Sequence, residues 1–266
     1  MPDAPPPRTA TAAWPALRDG ACFLLALAGV LWLVAHGAAD LGYNWQWYRV
    51  PAFVWGPDGT PGPLLQGLAV TLKLTALSGL GALGAGGIAA LLRLSRSVAA
   101  RALAWAYVEA IRNTPLLIQL LFLYFVIAPA LGLDALSSAV IGLSLFEGAY
   151  VSEILRAGIV SIDHGQWDAA RSLGMGRASA YRLVILPQAV RRVLPPLASQ
   201  SVSLVKDSSL ASVIAMAELT LRGGEIVAHT FLSFEIWFTV AALYWLVTTA
   251  LSALAAGLER GLAYPT

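Results

Sequence analysis

The sequence predicts an all-α fold: a polytopic membrane helix bundle of about six transmembrane helices. Three observations predict it. Hydrophobic residues fill 58% of the 266 positions and charged residues only 12%, against about 25% charged in an ordinary soluble domain. The mean hydropathy is +0.71. Six long apolar segments recur along the chain, and arginine gathers in alternate connections between them. That alternation marks the two sides of a bilayer.

The same composition narrows the function. A net charge of +2 is too small for a nucleic-acid-binding chain. Cys22 is the single cysteine, so no disulfide forms within the chain and no cysteine-based metal site is predicted. His36, His164 and His229 are far apart in sequence, and none is read as a ligand or a catalyst.

The elements follow in order. Residues 1–19, rich in proline and alanine with Arg8 and Arg18, read as a disordered cytoplasmic tail. Residues 20–39 form an additional N-terminal span, uncharged over 21–39 and just long enough for the roughly 30 Å hydrocarbon core. A cleaved leader is the rival reading, since Arg18 precedes an apolar run, but the run is long for one. Residues 40–64 carry "YNWQWYRVPAFVWGPDGTPGP". Rings of this kind favour the headgroup layer, so the stretch reads as a periplasmic, aromatic-rich interfacial loop or short helix. Further apolar segments cover about 65–92, 116–130, 135–154, 193–216 and 234–258. The first of these holds "SGLGALGAGGIAALL", small residues that let helix backbones approach closely. Its Lys73 lies near one end and can snorkel to the interface.

Arginine fixes the orientation. With a cytoplasmic N-terminus, the inner connections hold Arg93, Arg96, Arg101, Arg156, Arg171, Arg177, Arg182, Arg191 and Arg192, and the outer ones only Arg49 and Arg222. Both termini and the polar stretch 164–190 are therefore expected in the cytoplasm.

That stretch, "HGQWDAARSLGMGRASAYRLVILPQAV", predicts two short helices over 165–173 and 177–186. Gly174 and Gly176 permit a sharp corner between them, and Pro187 predicts a break before the next span. Trp167, Ala170 and Gly174 fall on one helical face, suited to docking in a partner's groove. Asp168 suits the positive N-terminal end of its helix.

Here a resemblance enters. Gly165, Gln166, Trp167, Asp168, Ala169, Ala170, Arg171, Ser172, Leu173 and Gly174, then nine residues, then Val184-Ile185-Leu186-Pro187, resemble the EAA loop of ABC importer permeases. Asp168 stands for the usual Glu and Val184 for Ile. "YVEAIRNTPLLIQLLFLYF", "EGAYVSEILRAGI" and "LPPLASQSVSLVKDSSLASVIAMAEL" are similar to segments of permeases for polar or general L-amino acids, of the histidine and glutamine type. The resemblance implies a type I importer transmembrane domain over residues 65–260, with a cytoplasmic coupling loop at 160–187. It further implies two cytoplasmic ATPase subunits holding ATP and Mg, a second permease subunit, a periplasmic amino-acid-binding protein and a bacterial inner membrane. Gly165, Gln166, Trp167, Asp168, Ala169, Ala170, Leu173 and Gly174 would be the coupling residues. No phosphate-binding G-x-x-x-x-G-K-[ST] loop occurs in the sequence, so ATP chemistry is assigned to another subunit. No cofactor is expected in this chain, which is read as a transport subunit rather than an enzyme.

Other polar residues sit among apolar ones. Glu109 and Arg112, and likewise Glu153 and Arg156, are three apart and able to pair on a helical face. Glu147 lies in an otherwise apolar segment, where an ionisable group faces a cavity or a partner. It is read either as a receptor for an amino-acid ammonium or as part of a buried pair. Gln200 and Ser203 share a helical face, and Lys206 either binds a substrate carboxylate or neutralises Asp207 or a glutamate. Glu147, Gln200, Ser203 and Lys206 are the candidate substrate path. The alternative function is a secondary transporter or channel for a small polar solute, which would need its own coupling-ion site. A membrane enzyme would need clustered catalytic groups, which the scattered histidines do not offer.

Overall fold

The computed structural model describes residues 42–262 and, before them, 20, 22, 24–29, 32–33 and 36–37, with side chains up to residue 257. The expected tail at 1–19 and part of the expected span at 20–39 lie outside the described residues. The chain divides into two compact units, Met1–Gln46 and Trp47–Thr266. In the first, the described residues from 20 to 37 are helical, and the rings of Trp32 and His36 lie 4.4 Å apart.

The second unit opens with a 3-10 turn, Trp47–Arg49, and a short helix α1 (Pro51–Val54). A bridge between Trp55 and Pro61 closes the loop that follows. Helix α2 (Pro63–Leu94) starts on a proline, which suits a first turn because its missing N–H needs no partner there. Helix α3 (Val98–Arg112) is capped by Ser97, whose hydroxyl accepts from the Ala100 N–H. After Pro115 come α4 (Leu116–Phe122), a π-turn (Leu123–Ile127) and α5 (Ala128–Leu131). The chain bends by 104° between α3 and α4–α5. The Gln119 amide staples that corner by donating to the carbonyls of Ile111 and Thr114, at 2.7 and 2.9 Å.

Helix α6 (Ala135–Val160) is capped by Asp134, which accepts from the Ser137 N–H at 2.8 Å. Next come α7 (His164–Ser172), α8 (Arg177–Ala180), a π-turn (Tyr181–Ile185) and α9 (Leu186–Asp207). A 3-10 turn (Ser208–Ile214), α10 (Leu219–Thr230) and α11 (Ser233–Leu262) complete the chain.

The glycine-rich part of α2 lies directly on α6. A Cβ at Gly86 would sit 2.6 Å from Val151 Cγ1 and 2.7 Å from the Gly148 carbonyl. Only small residues allow this approach, and dispersion between the touching backbones stabilises it. Leu74, Leu120, Leu143, Leu204 and Ile214 form one buried core. Leu64, Leu219, Leu232 and Ile236 form a second. Beside it Glu218 caps α10, accepting from the N–H groups of Thr220 and Leu221 and from the Tyr244 hydroxyl, each at 2.8 Å. The Leu219 N–H donates to Thr71 Oγ1 at 3.2 Å. These bonds fasten α2, α10 and α11 together.

Among the described residues, α2, α6 and α11 are long and apolar enough to cross a membrane, and α3 with α4–α5 makes a fourth as a bent pair. The apolar segment at 193–216 belongs to α9 and its 3-10 turn, where Lys206 and Asp207 interrupt it. Helices α3 and α10 occupy stretches read from sequence as connections.

Pro187 does not break the chain as expected. It stands in the first turn of α9, just after the π-turn in which the Leu186 N–H bonds the Tyr181 carbonyl. Pro129 repeats the arrangement: the Ala128 N–H bonds the Leu123 carbonyl one residue earlier. A proline ring collides with a helical carbonyl four residues back, and a wide turn placed there accommodates it.

Candidate coupling element and buried polar cluster

Helices α7 and α8 form an elbow between the long helices α6 and α9. Asp163 starts it, accepting from the Gly165 N–H at 2.6 Å. This corrects the expectation for Asp168, which instead pairs with Arg171 at 3.3 Å on the exposed face. Gly174 ends α7 with φ +72°, a left-handed conformation that suits glycine. The Gly174 and Met175 N–H groups close the helix end on the carbonyls of Arg171 and Ala170, at 2.9 and 3.1 Å. Gly176 needs no such conformation, since it is the extended cap of α8.

Of the face read as a docking face, Trp167 and Ala170 turn inward while Gly174 stays exposed. The Trp167 ring lies 5.6 Å from the Tyr181 ring and packs against the cluster of Ile162, Ile185 and Ala189. Ala170 is only 2% exposed. Helical periodicity identified this face as apolar but could not say whether the chain's own α9 or another protein covers it. The outward face carries Gly165, Asp168, Ala169 and Leu173, with Leu173 80% exposed. Gln166 is exposed and accepts from the Gln188 side chain at 3.0 Å. Burial raises the Tyr181 hydroxyl above its ordinary pKa, and Arg177 pulls it partly back.

The second cluster lies about halfway along α6. Glu147 is 1% exposed, and its Oε2 accepts from the Gln200 amide at 2.5 Å. Its Oε1 accepts no hydrogen bond from the described residues, and the Asp207 carboxyl lies within electrostatic reach. Ser203 is half-buried one turn from Gln200 on α9. Lys206 is exposed and joins no ion pair among the described residues, so of its three alternatives the pairing with Asp207 or with a glutamate does not form. Sequence reasoning missed the approach of Asp207 to Glu147, which needs the crossing of α6 by α9.

The other predicted pairs divide. Glu153 accepts from both Arg156 and Arg93, the latter unforeseen because it comes from α2. Glu109 and Arg112 do not pair. Glu109 accepts from the Asn113 amide at 2.8 Å, and the Arg112 guanidinium lies 5.3 Å from the Tyr150 ring centre. The four-residue spacing of Glu109 and Asn113 was the available signal. Among the described residues no group of three or more His, Cys, Asp or Glu is placed to hold a metal.

A helical bundle whose long apolar rods are interrupted by an exposed two-helix elbow has the architecture of a polytopic membrane protein. Residues 82–264 match the family of binding-protein-dependent transport system inner membrane components, and the chain belongs to that family. It is similar to the glutamine transport system permease protein GlnP of Escherichia coli K12, 40% identical over 74% of this chain and 91% of that protein. It is also similar to the L-cystine transport system permease protein TcyB of Bacillus subtilis, 41% identical over 85% of this chain and 94% of that one. Among solved structures, an amino acid ABC transporter with histidines matches with TM-score 0.71 and 40% identity, over 74% of this chain and 93% of that chain. The inward-facing methionine transporter MetNI, at 19% identity and TM-score 0.64, shares the fold. The chain is thus a transport subunit of the ABC importer type, an inner-membrane component with the type I transmembrane fold.

Proposed function

We propose that this chain is the permease subunit of an ATP-driven importer for polar L-amino acids. The observation that carries the reading is the elbow α7–α8, whose outward face of Gly165, Asp168, Ala169 and Leu173 is exposed between two long helices. Such an element is built to receive force from another protein. Two cytoplasmic ATPase subunits would supply it, binding ATP and Mg, since the sequence has no phosphate loop of its own. A second permease subunit, the same chain or a related one, would complete the path, and a periplasmic binding protein would deliver the solute. The relatives that handle glutamine and L-cystine support a zwitterionic α-amino acid as cargo. Within the path, the buried carboxyl of Glu147 and the neighbouring carboxyl of Asp207 suit an ammonium group and Lys206 a carboxylate, with Gln200 and Ser203 beside them.

ATP binding drives import only by favouring one of two arrangements of the bundle. The arginine pattern supports a cytoplasmic elbow and cytoplasmic termini. The test is reconstitution in vesicles with a cognate ATPase and binding protein. Uptake of a labelled polar amino acid should require all components and ATP. Uptake by this chain alone, driven by an ion gradient, would replace the reading with a secondary transporter.

A further inference from the structure

Helix α9 is poorly suited to carry a push along its axis. Pro195 and Pro196 stand inside it, and each removes a backbone hydrogen bond from the helix. They lie between the elbow and Gln200, the residue that touches Glu147. A displacement arriving from α7 would bend α9 there before reaching the middle of the bundle. The structure offers a second route. The Arg192 guanidinium, just before the proline pair, donates to both the carbonyl and the hydroxyl of Ser161. Ser161 is the residue that ends α6, and its hydroxyl in turn donates to the Gly158 carbonyl at 2.8 Å. A cation suits such an end, where helix carbonyls lack partners and the dipole is negative. Close packing continues the joint. A Cβ at Gly158 would lie 2.1 Å from Val193 Cγ1. Ile162 packs with Ile185 and Ala189.

We propose that Arg192 is a positioning residue that locks the elbow and the inner end of α9 to α6, so that force from the ATPase travels to Glu147 through α6 and bypasses the proline pair. The proposal rests on the reading of α7–α8 as the coupling element.

The test uses the complete complex in nanodiscs, with ATPase and binding protein. Arg192→Gln should leave ATPase co-purification and basal ATP hydrolysis near wild type, while amino acid moved per ATP falls by about fivefold or more, the usual scale of a lost coupling energy. Arg192→Lys, which keeps a donor and the charge, should recover part of the ratio. A double variant, Ser161→Cys with Arg192→Cys in a Cys22→Ser background, should be uncoupled until a short bifunctional thiol reagent bridges the pair, and coupled again afterwards. An unchanged ratio in Arg192→Gln, or a bridge that blocks transport, would overturn the proposal. If Arg192→Gln fails to assemble, the bridged variant decides. Failure of the unaltered chain to bind the ATPase would instead overturn the coupling reading itself, and that outcome is visible before any variant is made.

Discussion

At the scale of single residues, the chemistry concentrates on Glu147. A buried carboxyl bonded to Gln200 on one oxygen and approached by the Asp207 carboxyl is costly in an apolar bundle, and a cationic group would offset that cost. Glu147→Gln keeps the volume and removes the charge. It should weaken selection for the α-ammonium group by about tenfold, the scale of one charge-assisted hydrogen bond. The measurement is competition between the amino acid and its analogue lacking the amine, in reconstituted uptake. Unchanged competition with less folded protein would assign Glu147 to packing alone. The residue was legible in the sequence because it is an isolated carboxylate among small and apolar neighbours. Its setting was not. Gln200 lies 53 positions later, and nothing in local spacing brings it or Asp207 to the same place. Glu109 shows the opposite limit: a nearby cation three residues on was outcompeted by a neutral amide four residues on, at 2.8 Å.

At the scale of elements, the α2–α6 contact is the part most plainly written in the chain. Its run of small residues has a direct geometric use, the approach of Gly86 to Gly148 and Val151. Gly86→Leu should force the two helices apart and cost about 1–3 kcal/mol, as overpacking does. Gly84→Leu, where a Cβ meets nothing within 4 Å, should be silent. Thermal unfolding in detergent compares the two. Equal melting of both variants would mean that the contact contributes little. Helices α3 and α10 were hidden for a physical reason. Both are short and carry polar residues, Glu109 and Arg112 in one, Arg222 and Glu225 in the other, so hydropathy passes over them. The elbow was legible as two helices and a glycine corner. The direction of its apolar face was not, because a periodic stripe does not name what covers it.

At the scale of the whole molecule, the proposed orientation makes a simple demand. In a Cys22→Ser background, Leu173→Cys should react with an impermeant thiol reagent only from the cytoplasmic side, and Tyr48→Cys only from the outside. Both positions are 80% exposed in the chain by itself, so the labelling is done on the permease before the ATPase is added. Labelling of Leu173→Cys from outside would invert the bundle and remove the elbow from any cytoplasmic engine.

The wide turns before Pro129 and Pro187 have a consequence for how this chain tolerates editing. Each adds roughly one residue to a helical winding, and one residue of α-helix is about 100° of rotation. Side chains on either side of such a turn are therefore out of phase with a regular count. Trp167 meets Tyr181 at the start of one such turn, while Gln188 and Arg192 project from the helix after it. Deleting a single residue there would leave the composition intact and turn one set of contacts away from the other. Length in these five-residue windows is as constrained as sequence.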